Sequence, residues 1–363
     1  MRMKRIAAAV AGLALTGALG GAVSTATAQA AASGPPGGPV PAGFEPASVT
    51  FISASDGWVL GTTKTCAHAP CTSVLRTTNG GRTWSGIPAP KFKLANFNLA
   101  AGLLRLRFAD ASDGFAYGSQ FWVTHNGGSS WHRVRQVPGY ITDLETSAGV
   151  AYLAAQHDGK VTIYSSPAGR NSWHRVSGLP RISGSAGLGT ITLHGRSGWV
   201  ILANRIYATS NGATWSRDSF RCPAGYGIAS LAADSAKKIS ALCSGSPGLG
   251  STLKRVFVSS DRGASFTKAG NPPAGGDGGL LAEPAPRHLF IATSSGATFT
   301  YVSTDGGRKW KDGALSRSDG GLGWNDFGFT TASQGVAVEG TPHFGSKLWL
   351  TRNAGRHWSR VLF

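Results

Sequence analysis

Thr77-Thr78-Asn79-Gly80-Gly81-Arg82-Thr83-Trp84 is the stretch that decides the fold, because it returns along the chain. It comes back at 124–131 (THNGGSSW), 259–266 (SSDRGASF), 303–310 (STDGGRKW) and 351–358 (TRNAGRHW). Each copy reads hydroxyl, any, Asp or Asn, any, Gly, any, any, aromatic. Two degenerate copies lie between them: Ser165 to Trp173 runs one residue long and lacks the Asp or Asn, and 209–215 (TSNGATW) is one residue short. The closing aromatics are Trp84, Trp131, Trp173, Trp215, Phe266, Trp310 and Trp358, spaced 42 to 51 residues apart. A recurrence at this period is the mark of a repeat architecture.

Each interval holds four short strand-like runs, which in the first unit are 49–52, 58–60, 74–77 and 83–87. A second turn recurs between the first two runs: Ser55-Asp56-Gly57, Ser112-Asp113-Gly114, Arg196-Ser197-Gly198 and Ser333-Gln334-Gly335. Glycine there is expected to supply a positive φ, and Asp or Ser to bond the nearby backbone. The eight-residue box falls between the third and fourth runs, so Asn79, Asn126, Asn211, Asp261, Asp305 and Asn353 are read as turn-forming residues. Their aromatics, Trp84, Trp131, Trp215, Phe266, Trp310 and Trp358, are read as plugs beneath neighbouring strands.

A four-stranded meander cannot bury both faces alone, whereas such units set radially stack sheet on sheet. The expected fold is therefore all-β, a seven-bladed β-propeller of four-stranded antiparallel blades over residues 47–363. A linear solenoid would need end caps, and the sequence offers none. Composition agrees: 52 Gly and 18 Pro in 363 residues make the chain dense in turns, and four Glu in total leave little for charged helices. Eleven Trp and 16 Phe require a core and exclude disorder.

The N-terminus is a different text. Arg2, Lys4 and Arg5 precede an apolar run from Ile6 to about Val23, and Ala28-Gln29-Ala30 forms a small-residue cleavage site. Residues 1–30 read as a secretory signal, an uncleaved anchor being the alternative, and residues 31–46 as a Gly/Pro-rich linker. The mature chain is expected outside the cell, as a monomer without a membrane span. Cys66, Cys71, Cys222 and Cys243 suit an exported protein with two disulfides, proximity favouring Cys66 with Cys71 and Cys222 with Cys243. The spacing is poor for zinc, and no metal or other cofactor is expected.

The box resembles the Asp-box, or BNR repeat, of sialidases, sortilin-type receptors and photosystem II assembly-factor-like propellers. The unit SASDGWVLG…TTNGGRTW is most similar to the assembly-factor-like group. The resemblance covers nearly all of the expected mature chain and implies a propeller whose boxes lie away from the ligand-binding face. A sialidase would imply three arginines clamping a carboxylate, a Tyr nucleophile polarised by Glu, and an Asp acid/base. The Arg-Ile-Pro motif of that family is missing, since Arg5-Ile6, Arg181-Ile182 and Arg205-Ile206 are not followed by Pro. No HExxH, GxSxG, phosphate-loop or GxGxxG motif is present.

The reading is thus a secreted, non-catalytic binding or scaffold module for an extracellular protein or glycan, with no catalytic residue assigned. A sialidase-type glycoside hydrolase, or an electrostatic binder of anionic cell-envelope polymer, is the alternative. The net charge of +18 fits the latter, although export and the lack of an RNA-binding motif argue against nucleic acid. Candidate ligand-binding residues sit where innermost strands begin at the channel mouth: Tyr140, Tyr226 and Trp324 as aromatic platforms, with Asp143, Glu145, Asp326, Arg105 and Arg107 as polar neighbours. A basic rim of residues in and after the boxes, Arg308 and Lys309 among them, is the second candidate surface.

Overall fold

The computed structural model describes residues 37–63, 71–95, 101–184, 189–246, 248–316, 323–342 and 344–363. The expected signal peptide, the linker up to residue 36, and Cys66 lie outside them. Seven antiparallel sheets follow one another along the chain, at 44–87, 103–134, 140–183, 190–217, 226–270, 277–312 and 324–361, here blades 1 to 7. Each runs as a simple meander of four strands, and blade 3 adds a two-residue strand, Ile182–Ser183, against Lys160–Val161. There is no α-helix among the described residues. The protein is a seven-bladed β-propeller. Its first strand starts at Phe44, inside the stretch read as linker.

Sheets bury their flanks against one another, so each apolar cluster is shared by neighbouring blades. Val49, Phe51, Val59 and Leu75 of blade 1 pack with Val336, Val338, Leu348 and Leu350 of blade 7. Blade 7 takes all four strands from its own sequence, so the ring closes by packing and side-chain bonds rather than by an exchanged strand. The terminal Phe363 ring meets Phe44 at 4.9 Å and Trp84 at 5.9 Å, and the Arg352 guanidinium donates to the Gly80 carbonyl.

The boxes form hairpin turns of a constant design. Thr77 Oγ1 accepts the Gly81 amide at 2.9 Å while Asn79 Oδ1 accepts the Arg82 and Thr83 amides at 3.1 and 2.9 Å. The Gly128, Gly263, Gly307 and Gly355 amides meet Thr124, Ser259, Ser303 and Thr351 in the same way, at 2.8–3.0 Å. Those glycines have φ between 74° and 99°, the region a side chain disfavours. In the short box Asn211 still accepts two amides, from Ala213 and Thr214, at 2.9 Å.

Two expectations change. The long box starts at Ser166, not Ser165: Ser166 is fully buried, accepts the Ser172 amide, and pairs with Ala151 in the register that Thr77 keeps with Gly57. It therefore has eight residues, with Ala168 in the Asp/Asn position. Secondly, Gly57, Gly114 and Gly335 do not adopt positive φ. A Cβ at these sites would lie 2.5–2.7 Å from the rings of Phe51, Phe108 and Phe329, so glycine is required for the aromatic that ends each inner strand to lie flat over the next strand.

Thr351→Val keeps the shape but removes a hydroxyl that accepts from Asn353 and Gly355 and donates to Asn353 Oδ1. With the buried Gly355 amide and the part-buried Asn353 amide losing an acceptor, urea denaturation should show a loss of about 2 kcal/mol. No change in midpoint would mean that the box hydroxyl is not structural.

Candidate functional site

Strand direction fixes two faces. The boxes lie on one, the box face. The other, the mouth face, carries the second-to-third strand loops and the connections from each outer strand to the next inner strand. Inner strands are interrupted by bulges just before Ser48, Arg105, Asp143, Ser230 and Asp326. A bulge re-aims the side chain after it. Four of these five then bond the next blade: Ser48 Oγ accepts the Leu106 amide, Asp143 Oδ2 the Ile191 amide, Ser230 Oγ the Leu281 amide and Asp326 Oδ2 the Val49 amide, at 2.8–3.2 Å.

The fifth, Arg105, donates to Asn325 Oδ1 at 2.9 Å, and Asn325 Nδ2 donates to the Ala47 carbonyl. Arg107 stands two residues on, facing the same way. Its Nη1 lies 3.2 Å from Asp326 Oδ2 and its Nε 3.2 Å from Glu145 Oε1. Ser48 Oγ donates to the same Asp326 oxygen at 2.8 Å. Four of the expected residues, Arg105 and Arg107 of blade 2, Glu145 of blade 3 and Asp326 of blade 7, are thus brought together, with Ser48 of blade 1 among them.

Burial opposes charge on Arg107, but Asp326 and Glu145 outweigh it and keep the guanidinium protonated. Burial would raise Asp326, yet Arg107, Arg105 and the Ser48 hydroxyl pull it below the usual carboxylate range. For Glu145 burial wins over Arg107, and its pKa is raised. Asp143, on the same strand face, is pushed up to about 7 by burial and by the Glu145 charge, against the pull of its two backbone amides. The cluster's hydrogen-bonding capacity is largely spent within the ring, and the channel space beside Glu145 is small, about 280 Å3.

The three aromatics go elsewhere. Trp324 Nε1 donates to the Phe299 carbonyl at 3.1 Å and its ring packs with Phe327, so it fills the seam between blades 6 and 7. Tyr226 lies under Arg255, whose guanidinium carbon is 4.5 Å from the ring centre. Tyr140 lines a cleft of about 840 Å3 between blades 2 and 3.

Cys222 and Cys243 form a disulfide, bracing the connection into blade 5. Cys71 is also disulfide-bonded, and its expected partner Cys66 is outside the described residues. Among the described residues no group of His, Cys, Asp and Glu could hold a metal, and no helix is long and apolar enough to cross a membrane.

Sequence reading missed Lys254. Its side chain is buried, and Nζ donates to the carbonyls of Thr252, Ala274, Gly275 and Gly276 at 2.7–3.1 Å. Burial lowers its pKa to about 8, which leaves it charged at neutral pH. Above it a two-residue turn, closed by Gly248 and Ser251, carries Leu249 and Gly250 at φ 50° and 80°. Leu249 is fully exposed at the tip. Lys254 supports, from below, a loop that presents an apolar side chain to solvent.

No protein-family model matches the chain, and no curated protein matches its sequence. Solved structures do. YCF48 from Cyanidioschyzon merolae is 17% identical, with a TM-score of 0.58 over 88% of this chain and 98% of that one. A second structure, YCF48 bound to D1 peptide, is 16% identical, with a TM-score of 0.57 over 87% and 95%. A GH74 enzyme from Niastella koreensis is 12% identical, with a TM-score of 0.35 over 88% and 71%. At these identities the likeness is one of fold.

Proposed function

We propose that the protein is an exported, non-catalytic module that binds a peptide segment of a partner protein on its mouth face. One observation carries this. Among the described residues the exposed large apolar side chains are Leu249, Leu253, Leu280, Phe344, Leu362 and Phe363; five of them belong to loops or strand ends toward the mouth face, and Leu280 lies in the first half of the inner strand of blade 6, just after its bulge. The box face has none among the described residues. Leu249 gains nothing from burial, and its left-handed backbone costs about 1 kcal/mol, so stability does not account for a leucine there.

The channel carboxylates support the non-catalytic half of the reading. Asp143 accepts two backbone amides and Glu145 is held by Arg107, so both serve the seams between blades. The Cys222–Cys243 disulfide and the N-terminal sequence support export. The structure of YCF48 bound to D1 peptide is a precedent for a propeller of similar fold binding a peptide.

The test is to pan a random peptide library against the purified protein. Selected peptides should lose at least tenfold in affinity on Leu249→Asp/Phe344→Asp and bind Arg308→Glu/Lys309→Glu as they bind the parent. Peptides that respond to the second pair and ignore the first would move the binding surface to the box face and overturn the proposal.

A further inference from the structure

The outer edge of blade 1 differs from the other six. The fourth strand of each of those sets an exposed charged side chain opposite an aromatic of the third strand: Arg133, Arg175, Arg217, Lys268, Asp312 and Arg360. Charge on an edge keeps a further strand from pairing there. In blade 1 the same position is Gly86, opposite Leu75, and its fourth strand, Ser85–Ile87, holds no charged residue. The chain covers that edge with its own backbone instead. Gly38 forms an antiparallel bridge with Gly86, each donating its amide to the other's carbonyl, at 2.8 and 2.9 Å. Among the described residues no other fourth strand has a segment paired outside it.

The cover fits closely and holds loosely. A Cβ on Gly37 would overlap Ser85 Cβ, and one on Gly86 would lie 2.8 Å from the Pro39 carbonyl oxygen, so both strands need glycine. Residue 39 is proline and has no amide to donate, so the pairing stops after one bridge. Residues 37–39 are exposed, and Val40 is the first to reach the core, in the seam of blades 7 and 1. Two backbone bonds therefore shield an edge that can be bared without disturbing the sheet beneath.

We propose that residues 37–39 are a releasable cover, and that the bared edge pairs with the same edge of a second copy of the chain. The Gly86 amide and carbonyl both point outward, where they now meet Gly38. Antiparallel pairing of Ser85–Ile87 with itself sets Gly86 against Gly86 about a two-fold axis, so the edge is complementary to its own copy. No side chain stands between the copies there, and no like charges meet, as they would at each of the other six edges. A three-residue edge is far smaller than a permanent interface, so the pair is weak and reversible.

Gly37→Val/Gly38→Pro tests this, since it changes two exposed positions, adds a side chain that collides with Ser85 and removes the Gly38 amide. In dilute protein, hydrogen exchange at the Gly86 amide should become at least tenfold faster. Sedimentation equilibrium should find a dimer with a dissociation constant of roughly 0.1–1 mM, where the parent stays monomeric. Adding Gly86→Arg, the residue that holds this place in four other blades, should return the variant to a monomer. Unchanged exchange at Gly86 would show that the bridge to Gly38 is not a cover. A variant that exchanges fast yet stays monomeric, or a dimer that survives Gly86→Arg, would overturn pairing through this edge. None of these results bears on peptide selection at Leu249 and Phe344, so the two readings fail separately.

Discussion

Arg107→Met should lower the unfolding free energy by about 3 kcal/mol at pH 7 and by clearly less at pH 4.5, read from urea denaturation at both pH values. The guanidinium is the only cation reaching both Asp326 and Glu145 among the described residues. Methionine fills similar space but leaves Glu145 without its counter-charge and Asp326 with Arg105 alone, and losing one partner of a largely buried pair costs about 3–5 kcal/mol. The lower end applies because Glu145 keeps some contact with solvent.

The pH dependence follows from the direction of each shift. In the parent, Asp326 is held below its unfolded value, so its contribution is present above the ordinary carboxylate pKa and fades as pH falls through the depressed folded one. Glu145 and Asp143 are raised, Asp143 to about 7, so they favour the fold at low pH and lose that contribution as pH rises through the raised values. Removing Arg107 releases Asp326 from its depressed value and raises Glu145 further. The variant's carboxylates then favour the fold more in their protonated form, and its deficit shrinks as pH falls. A deficit of the same size at both pH values would show that the loss comes from packing alone.

How much of this could be read in the sequence depended on how far apart the interacting residues lie. The box hairpins were legible because hydroxyl, Asp or Asn, Gly and aromatic all act within eight residues, and their spacing set the blade number. Ser166 was misassigned because two adjacent serines gave the same pattern, and only pairing with Ala151 shows which is inward. The turn glycines were found but for the wrong reason, since the ring above Gly57 belongs to Phe51, six residues back on another strand. The channel cluster was half legible. Arg105, Arg107, Glu145 and Asp326 could be placed on inner strands, yet Arg107 and Asp326 are 219 residues apart and meet only when blade 7 closes on blade 1. Ser48 carried no signal, because its role depends on a bulge before it. The alternation of the strands could not reveal that a bulge would turn it toward Asp326.

Lys254 was invisible for the same reason, and it supports the second large expectation. Three of its four acceptors lie about 20 residues on, in the connection from blade 5 to blade 6. Lys254→Met should cost about 3 kcal/mol in global stability, because the apolar replacement fills the space and leaves buried carbonyls without a donor. Thr252 makes up part of the loss, since its amide already bonds the Ala274 and Gly276 carbonyls. The Thr252 carbonyl has no such substitute among the bonds described. The local effect should be larger than the global one. With the ammonium gone, the Gly248–Ser251 turn loses its floor, and subtilisin should cut within residues 248–252 at least tenfold faster under native conditions. Peptides selected on the parent should bind Lys254→Met more weakly, through mobility of Leu249 and without any change at the tip itself. A variant as stable and as protease-resistant as the parent would show that the four carbonyls are satisfied without the lysine, and that the prong is rigid for some other reason.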